Sequence, residues 1–372
     1  MTLPATADER FDERHRRLLD CLANDRPPAI ADWKLLTLPG NRPPWTDTGV
    51  DVRQGDQLTL LATGKIFLSE ALGSEALGLW GSPRFHLWGR IGERGTIWNG
   101  TRDTFTLTAV TGGRLFLGIY QGEWASPQGD LATPVALYAA GGGAIDALVV
   151  RWNGEAMRGL ESLARLAPTD RLLESELARL RAPVCPPEGW RHLWFLGESE
   201  IFAPCEAAGR PAIRVHADSD VGIIQKPIDF PLAPDTRLSW RWKVDELPSS
   251  EAEDSMRTHD YLSLALEFDD GKDLTWYWSA ALPAGTHYAC PLPTWNARET
   301  HIVVRSGTGE LGRWTAETRN VFEDHRTAIG GAPPRRIVAA WLIAVSIFRH
   351  GRGRAEFADV VLESGGARYQ VV

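Results

Sequence analysis

The sequence predicts an all-β protein: two β-sandwich or jelly-roll domains joined by a short helical connector, with an N-terminal helix. Three observations carry this reading. Short runs that alternate apolar and polar residues recur from Trp33 to Trp152 and again from Pro183 onward, each cut by glycine, proline or asparagine. Between them, residues 154–182 change to leucines spaced three and four apart. A chain of 372 residues is also long for one sandwich and comfortable for two separate cores. The expected division is a helix over 1–32, a sandwich over 33–153, a connector over 154–182 and a second β domain over 183–372.

The first helix rests on Phe11, His15, Leu18, Leu19 and Leu22, which fall on one face, with Thr6 and Glu9 as a capping box at its start. Asn24, Pro27 and Pro28 end it. So short an apolar stripe needs a sandwich to pack on. In the next segment Val50 and Val52, then Leu58, Leu60 and Ala62, alternate with polar residues, the period of a half-buried strand. Met157, Leu160, Leu163 and Leu166 then make one helical stripe, ending at Pro168. Leu173, Leu177 and Leu180 make another, capped by Thr169 or Asp170. A connector explains both stripes, and a partner-binding helix is the alternative. In the last segment, strands are expected near 238–244, 261–268, 274–280, 301–305, 337–347 and 355–363.

Charge and cysteines narrow the function classes. A net charge of −8, with 48 acidic and 40 basic residues, argues against a nucleic-acid or anionic-membrane partner, which needs a clustered basic surface. Arg349, His350, Arg352 and Arg354 form a basic run interrupted by glycines and read as a solvated loop. Cys21, Cys185, Cys205 and Cys290 make no CxxC pair, so no zinc knuckle or redox motif is indicated, and a Cys185–Cys205 disulfide stays open. No segment reaches the roughly 18 apolar residues of a membrane span. A cytoplasmic protein with reduced thiols is the expectation, its oligomeric state undetermined.

The stretches PWTDTGVDVRQGDQLTLLATG, LWGRIGERG and GGRLFLGIYQG, between Pro44 and Gly122, resemble the galactose-binding PA-I lectin-like family. The resemblance implies a small sandwich that holds a sugar through calcium at a loop following the strand Arg114 to Ile119. In the family an acidic residue and paired asparagines supply the ligands there. Here the loop reads YQGEWASPQGD. Gln121 stands near the acidic position, Gln128-Gly129 near the asparagine pair, and Glu123 and Asp130 offer carboxylates out of register. Calcium needs six to eight oxygen ligands. The expectation is no cofactor, with calcium at Gln121, Glu123 and Asp130 as the alternative, and Trp124 as the stacking face of a metal-free ligand site. His86, alone between aromatics, reads as a structural hydrogen-bond partner.

The runs RLSWRWKVDELP, THDYLSLALEF, LTWYWSA, GRWTAETRNVFEDHRTAIGG and AEFADVVLE resemble the DUF3047 family, a domain of unknown function, over most of 190–365. His259-Asp260 and 344–351 depart from the expected acidic positions. Alternation sorts the faces here. Leu262, Leu264, Leu266, Phe268, Trp240, Trp242, Trp276, Trp278, Ile302 and Val304 take the core phase. Arg241, Lys243, Tyr261, Glu267, Tyr277, His301 and Arg305 take the opposite one. If those residues share one concave face, arginine forks and tyrosine rings suit a carbohydrate or other polar small molecule. A solvated outer face is the plain alternative.

An enzyme can be drawn on the same residues, with His259 or His301 as base, Tyr261 or Tyr277 as acid, and Arg241 or Arg305 neutralising a carboxylate, as in a polysaccharide lyase. A hydrolase would use paired carboxylates, Glu267 and Asp359 being candidates. No GxSxG, HExxH, Walker or dinucleotide motif supports other chemistry. A scaffold role is the third reading. Arg319 and Asp324 read as an ion pair fixing a long loop.

Overall fold

The computed structural model describes residues 11, 15–24, 26–69, 73–76, 78–100 and 102–372. The Thr6–Glu9 capping box lies outside the described residues. The chain is mostly β and divides into two compact units, Met1–Pro183 and Val184–Val372. Among the described residues, no helix is long and apolar enough to cross a membrane.

The first unit carries β1 (Ile30–Pro39), β2 (Trp45–Val52), β3 (Gln57–Phe67), β4 (Trp80–Gly81), β5 (Leu87–Ile91), β6 (Trp98–Asn99), β7 (Thr104–Thr108), β8 (Gly113–Ile119) and β9 (Gly142–Trp152). One sheet runs β1-β9-β3-β4, with β7 also on β3. The other runs β2-β8-β5-β6. Leu58 and Leu60 of the first sheet meet Leu115 and Leu117 of the second in a buried core.

The first sheet is apolar on both faces. Leu61, Leu148, Val150 and Trp152 point away from that core and are covered by α1 (Arg16–Asn24), α2 (Ala156–Leu166) and α3 (Arg171–Arg181). Phe11, Leu18 and Leu22 pack there with Leu160, Leu163, Leu173 and Leu177, so the helical stripes bury against this unit's own sheet. Asp170 caps α3, accepting from the Leu172 and Leu173 amides at 3.0 and 3.2 Å, and its other oxygen lies 2.6 Å from His15 Nδ1. Buried Glu176 pairs with Arg179 at 2.6 Å and accepts from Thr104 Oγ1 at 2.6 Å, which ties α3 to β7.

The second unit carries β10 (Arg191–His192), β11 (Phe202–Ala207), β12 (Arg210–Asp218), β13 (Val221–Pro231), β14 (Arg237–Glu246), β15 (Leu262–Phe268), β16 (Asp273–Ser279), β17 (His287–Ala289), β18 (Glu299–Ser306), β19 (Trp314–Asn320), β20 (Arg336–Val345), β21 (Arg352–Ser364) and β22 (Ala367–Gln370). A seven-stranded sheet runs β10-β13-β20-β15-β16-β18-β17, and a second runs β11-β12-β21-β14-β19 with β22 on β21. Their facing sides bury Trp240 and Trp242 against Trp276, Trp278 and Phe357. Truncating one such tryptophan costs about 3–5 kcal/mol. Pairing is antiparallel except β16 with β18, which run parallel.

Helix α4 (Val321–Ala328) follows β19, its first turn capped by Asn320, which accepts from the Glu323 amide at 3.0 Å. Arg319 grips Asp324 with two nitrogens at 2.8 and 2.5 Å, and Trp276 Nε1 donates to the same carboxylate at 2.8 Å. All four cysteines are unbridged, including Cys185 and Cys205.

Candidate functional site

Alternation along β15, β16 and β18 turns Tyr261, Ser263, Thr275, Tyr277 and His301 away from the tryptophan core. That face is not solvated: all five side chains are buried. Residues 249–260 and 280–298 supply Glu253, His259 and Cys290 to the same buried region. The result is a polar chamber on the outer side of the seven-stranded sheet.

Its densest point is formed by His259, Cys290, Glu299 and His301, whose donor atoms all lie within 4.8 Å of one another. Glu299 and His301 stand two apart on β18 and so share a face. Tyr288, opposite His301 in the β17–β18 ladder, stacks on its ring at 5.2 Å. His259 Nδ1 donates to the Glu253 carbonyl at 2.8 Å, and its Nε2 lies 3.4 Å from Cys290 Sγ. Glu299 Oε1 accepts from Tyr261 at 3.1 Å and Thr275 at 3.3 Å, and lies 3.5 Å from His301 Nε2. Neither ring nitrogen of His301 has a hydrogen-bond partner.

Burial pushes His259 down to about 3, helped by the neighbouring His301, so its imidazole is neutral at physiological pH. Burial alone would raise Glu299, but His301 beside it wins and holds the carboxyl at about 2. Asp273, next in the row toward Glu267, is pushed well up by burial and by the Glu299 charge. Burial likewise raises the Tyr261 hydroxyl and the Cys290 thiol.

The structure brings His259, Tyr261, Tyr277 and His301 together, but it does not gather the whole predicted face. Arg241 and Lys243 lie on β14, in the other sheet, with the tryptophan core between them and Tyr261. There Arg241 contacts Asp359 at 3.2 Å and the Trp314 ring at 5.1 Å, and Lys243 contacts Glu356 at 3.3 Å. Glu267 and Asp359 belong to different sheets for the same reason, so they face no common groove. Arg305 also leaves the chamber. A bulge between Tyr277/Val303 and Trp278/Arg305 in the β16–β18 ladder turns it to the core side, over Trp278 and onto Glu317 and Glu310. Glu267 stays on the chamber face, half-buried, its carboxyl raised by burial against the pull of Arg298. Cys290, Glu299, Glu253 and Asp273 escaped the sequence reading. The one usable signal was Glu299 and His301 in the same strand phase.

In the first unit the 121–130 loop closes on itself. Trp124 is buried and stacks on Trp45 at 5.3 Å, so its face offers a ligand nothing. Gln121 donates its amide to the Gly40 carbonyl. Asp130 is held by Arg94 at 2.8 Å and Ser126 at 2.6 Å. Gly129, at φ +80°, accepts from Trp45 Nε1 at 2.9 Å, and a Cβ there would strike the Trp45 ring. Glu123 keeps an unpartnered buried oxygen, but one carboxylate does not make the six to eight oxygens that calcium needs, so the residues do not fit that ion. His86, fully buried, donates from Nδ1 to the Tyr120 carbonyl at 2.5 Å, a structural bond.

A third feature is an open cleft of about 860 Å³ at one end of the second unit. Its polar lining includes Asp245, Glu246, Ser249, Ser250 and Arg352, and its apolar lining includes Leu247, Pro248 and Leu311. Asp245 lies 3.4 Å from Lys243, and Glu246 accepts from Arg352 at 3.0 Å. A Cβ at Gly351 would collide with the Pro248 carbonyl oxygen, so a glycine is needed where these two loops meet. Asp260 accepts from the Phe348 and Arg349 amides at 3.0 and 2.6 Å, which fixes the 348–351 loop.

Comparison with known proteins finds one family model that matches part of the second unit. Residues 188–361 match the family model described as "Protein of unknown function (DUF3047)". No curated protein matches the chain. Among solved structures, the chain is similar to the EclA N-terminal domain, a PllA-like lectin, at 17% identity and TM-score 0.23, covering 32% of this chain and 94% of that one. It is similar to the xyloglucanase domain of NopAA from Sinorhizobium fredii at 10% identity and TM-score 0.28, covering 48% and 94%. It is also similar to the CBM22-1–CBM22-2 tandem domain of Paenibacillus barcinonensis Xyn10C at 10% identity and TM-score 0.25, covering 90% and 92%. Likenesses at these scores carry no argument about what this chain binds.

Proposed function

We propose that this protein binds a carbohydrate or similarly hydroxyl-rich small molecule, and that it does so in the cleft of the DUF3047 unit. The observation that carries the reading is the cleft's lining: carboxylates at the end of β14 and serine hydroxyls on the loop that follows, beside apolar side chains, in a volume of about 860 Å³. That volume suits a small ligand. Carboxylates accept hydroxyl protons, serines donate and accept, and Leu247, Pro248 and Leu311 can meet the C–H face of a sugar ring. Asp245 and Glu246 remain 45% and 40% exposed beside their cationic neighbours, so both can still accept. The Gly351–Pro248 approach and the Asp260 bonds hold the loops in place before a ligand arrives, which lowers the entropy cost of binding.

The cleft stands in for the single groove that the sequence suggested, because Arg241 and Arg305 are committed to ion pairs elsewhere. Lyase chemistry at His259, Tyr261 or His301 would need substrate access that the burial of all three denies. Four unbridged thiols support a reducing compartment, and we place the protein in the cytoplasm on that ground.

The test is a glycan array followed by titration of the strongest hit. Asp245→Asn and Glu246→Gln should each weaken binding about tenfold, the low end for a hydrogen bond to a charged acceptor. Arg241→Ala should leave it unchanged. Equal affinity in both carboxylate variants, or loss of binding in Arg241→Ala, would overturn the assignment to the cleft.

A further inference from the structure

We infer that the DUF3047 unit holds one zinc-class divalent metal ion, bound by His259, Cys290, Glu299 and His301. No other cluster among the described residues brings three or more potential metal ligands this close. Four observations converge on it.

The first is geometry. Ligands 2.0–2.3 Å from a tetrahedral zinc stand roughly 3.3–3.6 Å from one another. The His259 Nε2–Cys290 Sγ separation is 3.4 Å and the Glu299 Oε1–His301 Nε2 separation is 3.5 Å, with every pair inside 4.8 Å. Two opposite edges of the tetrahedron therefore already have about their final length.

The second is the tautomer of His259. Its Nδ1–H is used on the Glu253 carbonyl, which leaves Nε2 as the nitrogen with the lone pair, aimed into the cluster. A metal-bound histidine is held in just this way, its second nitrogen donating to a carbonyl or carboxylate. Tyr261 and Thr275 hold the Glu299 carboxylate by the same logic.

The third is unmet demand. His301 is fully buried between aromatic rings and neither of its nitrogens is hydrogen-bonded. An orphaned buried nitrogen costs stability and calls for a partner. A metal ion supplies one.

The fourth is charge. Two neutral imidazoles, one thiolate and one carboxylate sum to −2, which a divalent cation cancels. A neutral site is what a buried region tolerates. Cys290 enters by giving up its thiol proton to solvent as the metal–sulfur bond forms, so one proton leaves for each ion bound. Two imidazoles, one thiolate and one carboxylate suit zinc over magnesium or calcium. Four protein ligands with no opening make the site structural in type. The competing arrangement is a metal-free network in which Cys290 donates to His259 and a protonated His301 pairs with Glu299.

The experiment uses the full chain, unfolded in chelator and refolded with cobalt or zinc, since a closed site fills during folding. One cobalt per chain should bind and show both tetrahedral d–d bands and a sulfur-to-cobalt charge-transfer band. X-ray absorption of the zinc form should give one sulfur and three nitrogen or oxygen neighbours. In Cys290→Ser the charge-transfer band should vanish while the d–d bands persist. In His301→Gln zinc affinity should fall by at least the ten- to hundredfold seen for outer-shell changes. The two measurements on the unaltered chain decide the matter if either variant fails to fold. A refolded chain that retains no metal and shows no cobalt band establishes the metal-free network and overturns the proposal. A metal shell without sulfur overturns it too.

Discussion

The 121–130 loop of the first unit and the His259–His301 chamber of the second are both rich in groups that hold ions, and they arrange them differently. In the loop, Gln121 donates to Gly40, Asp130 is held by Arg94 and Ser126, and Trp124 stacks on Trp45, while Gln121 Oε1, Glu123 Oε1 and Trp124 Nε1 are buried without hydrogen bonds and do not converge on one point. In the chamber, four donors converge and His301 has no hydrogen bond at all. A donor satisfied by its own backbone stabilises the fold locally. Donors left unsatisfied in the interior cost stability unless something occupies the space among them. The sequence offered the loop only as the alternative to no cofactor, and the convergence of four ligand atoms within 4.8 Å singles out the chamber among the described residues.

The largest expected effect tests that contrast directly. Glu299→Ala, compared with the unaltered chain in chelator, should destabilise the second unit by about 3–5 kcal/mol, because it strands the Tyr261 hydroxyl in the interior and removes the carboxylate beside His301. Urea unfolding followed by tryptophan fluorescence measures it. A change under about 1 kcal/mol would mean that the chamber admits water and that the contrast with the loop is false.

Next in size is the buried histidine beside the loop. Burial pushes His86 from 6.5 down to about 4, against the hydrogen bond to Tyr120. The unfolded chain therefore binds more protons between these values, and the stability of the first unit rises with pH across them. His86 contributes fully above pH 6.5 and is lost as pH falls toward 4, by about 3 kcal/mol in all. His86→Gln should flatten that slope. An equal slope in both proteins would assign the acid sensitivity to another group.

The smallest effect is expected at the loop. Calcium should leave the melting temperature where chelator leaves it, and Asp130→Asn should produce no resolvable change, its ion pair with Arg94 being exposed. A rise of several degrees with calcium, by mass action on a folded-state site, would show that Glu123 and Asp130 exchange their partners for the ion and would erase the contrast.

The fold class and the face of each strand were legible in the sequence by itself. Alternation is a property of neighbouring residues, so it placed Trp240, Trp242, Leu264, Trp276 and Ile302 in the core without knowledge of which strands pair. The leucine stripes of α2 and α3 were legible too, though not the sheet face of Leu61 and Leu148 that they cover. What only the tertiary structure decided was everything at long range. It sent β14 to one sheet and β15 to the other, which parted Arg241 from Tyr261. It inserted the bulge that turned Arg305 away from His301. It folded residues 249–260 and 280–298 over a face that alternation alone reads only as polar, and so set Cys290, thirty-one positions from His259, against it. Period and phase are encoded locally in side-chain order. Strand partners, bulges and loop cover follow from which distant surfaces bury each other best, and no short window of sequence contains that competition.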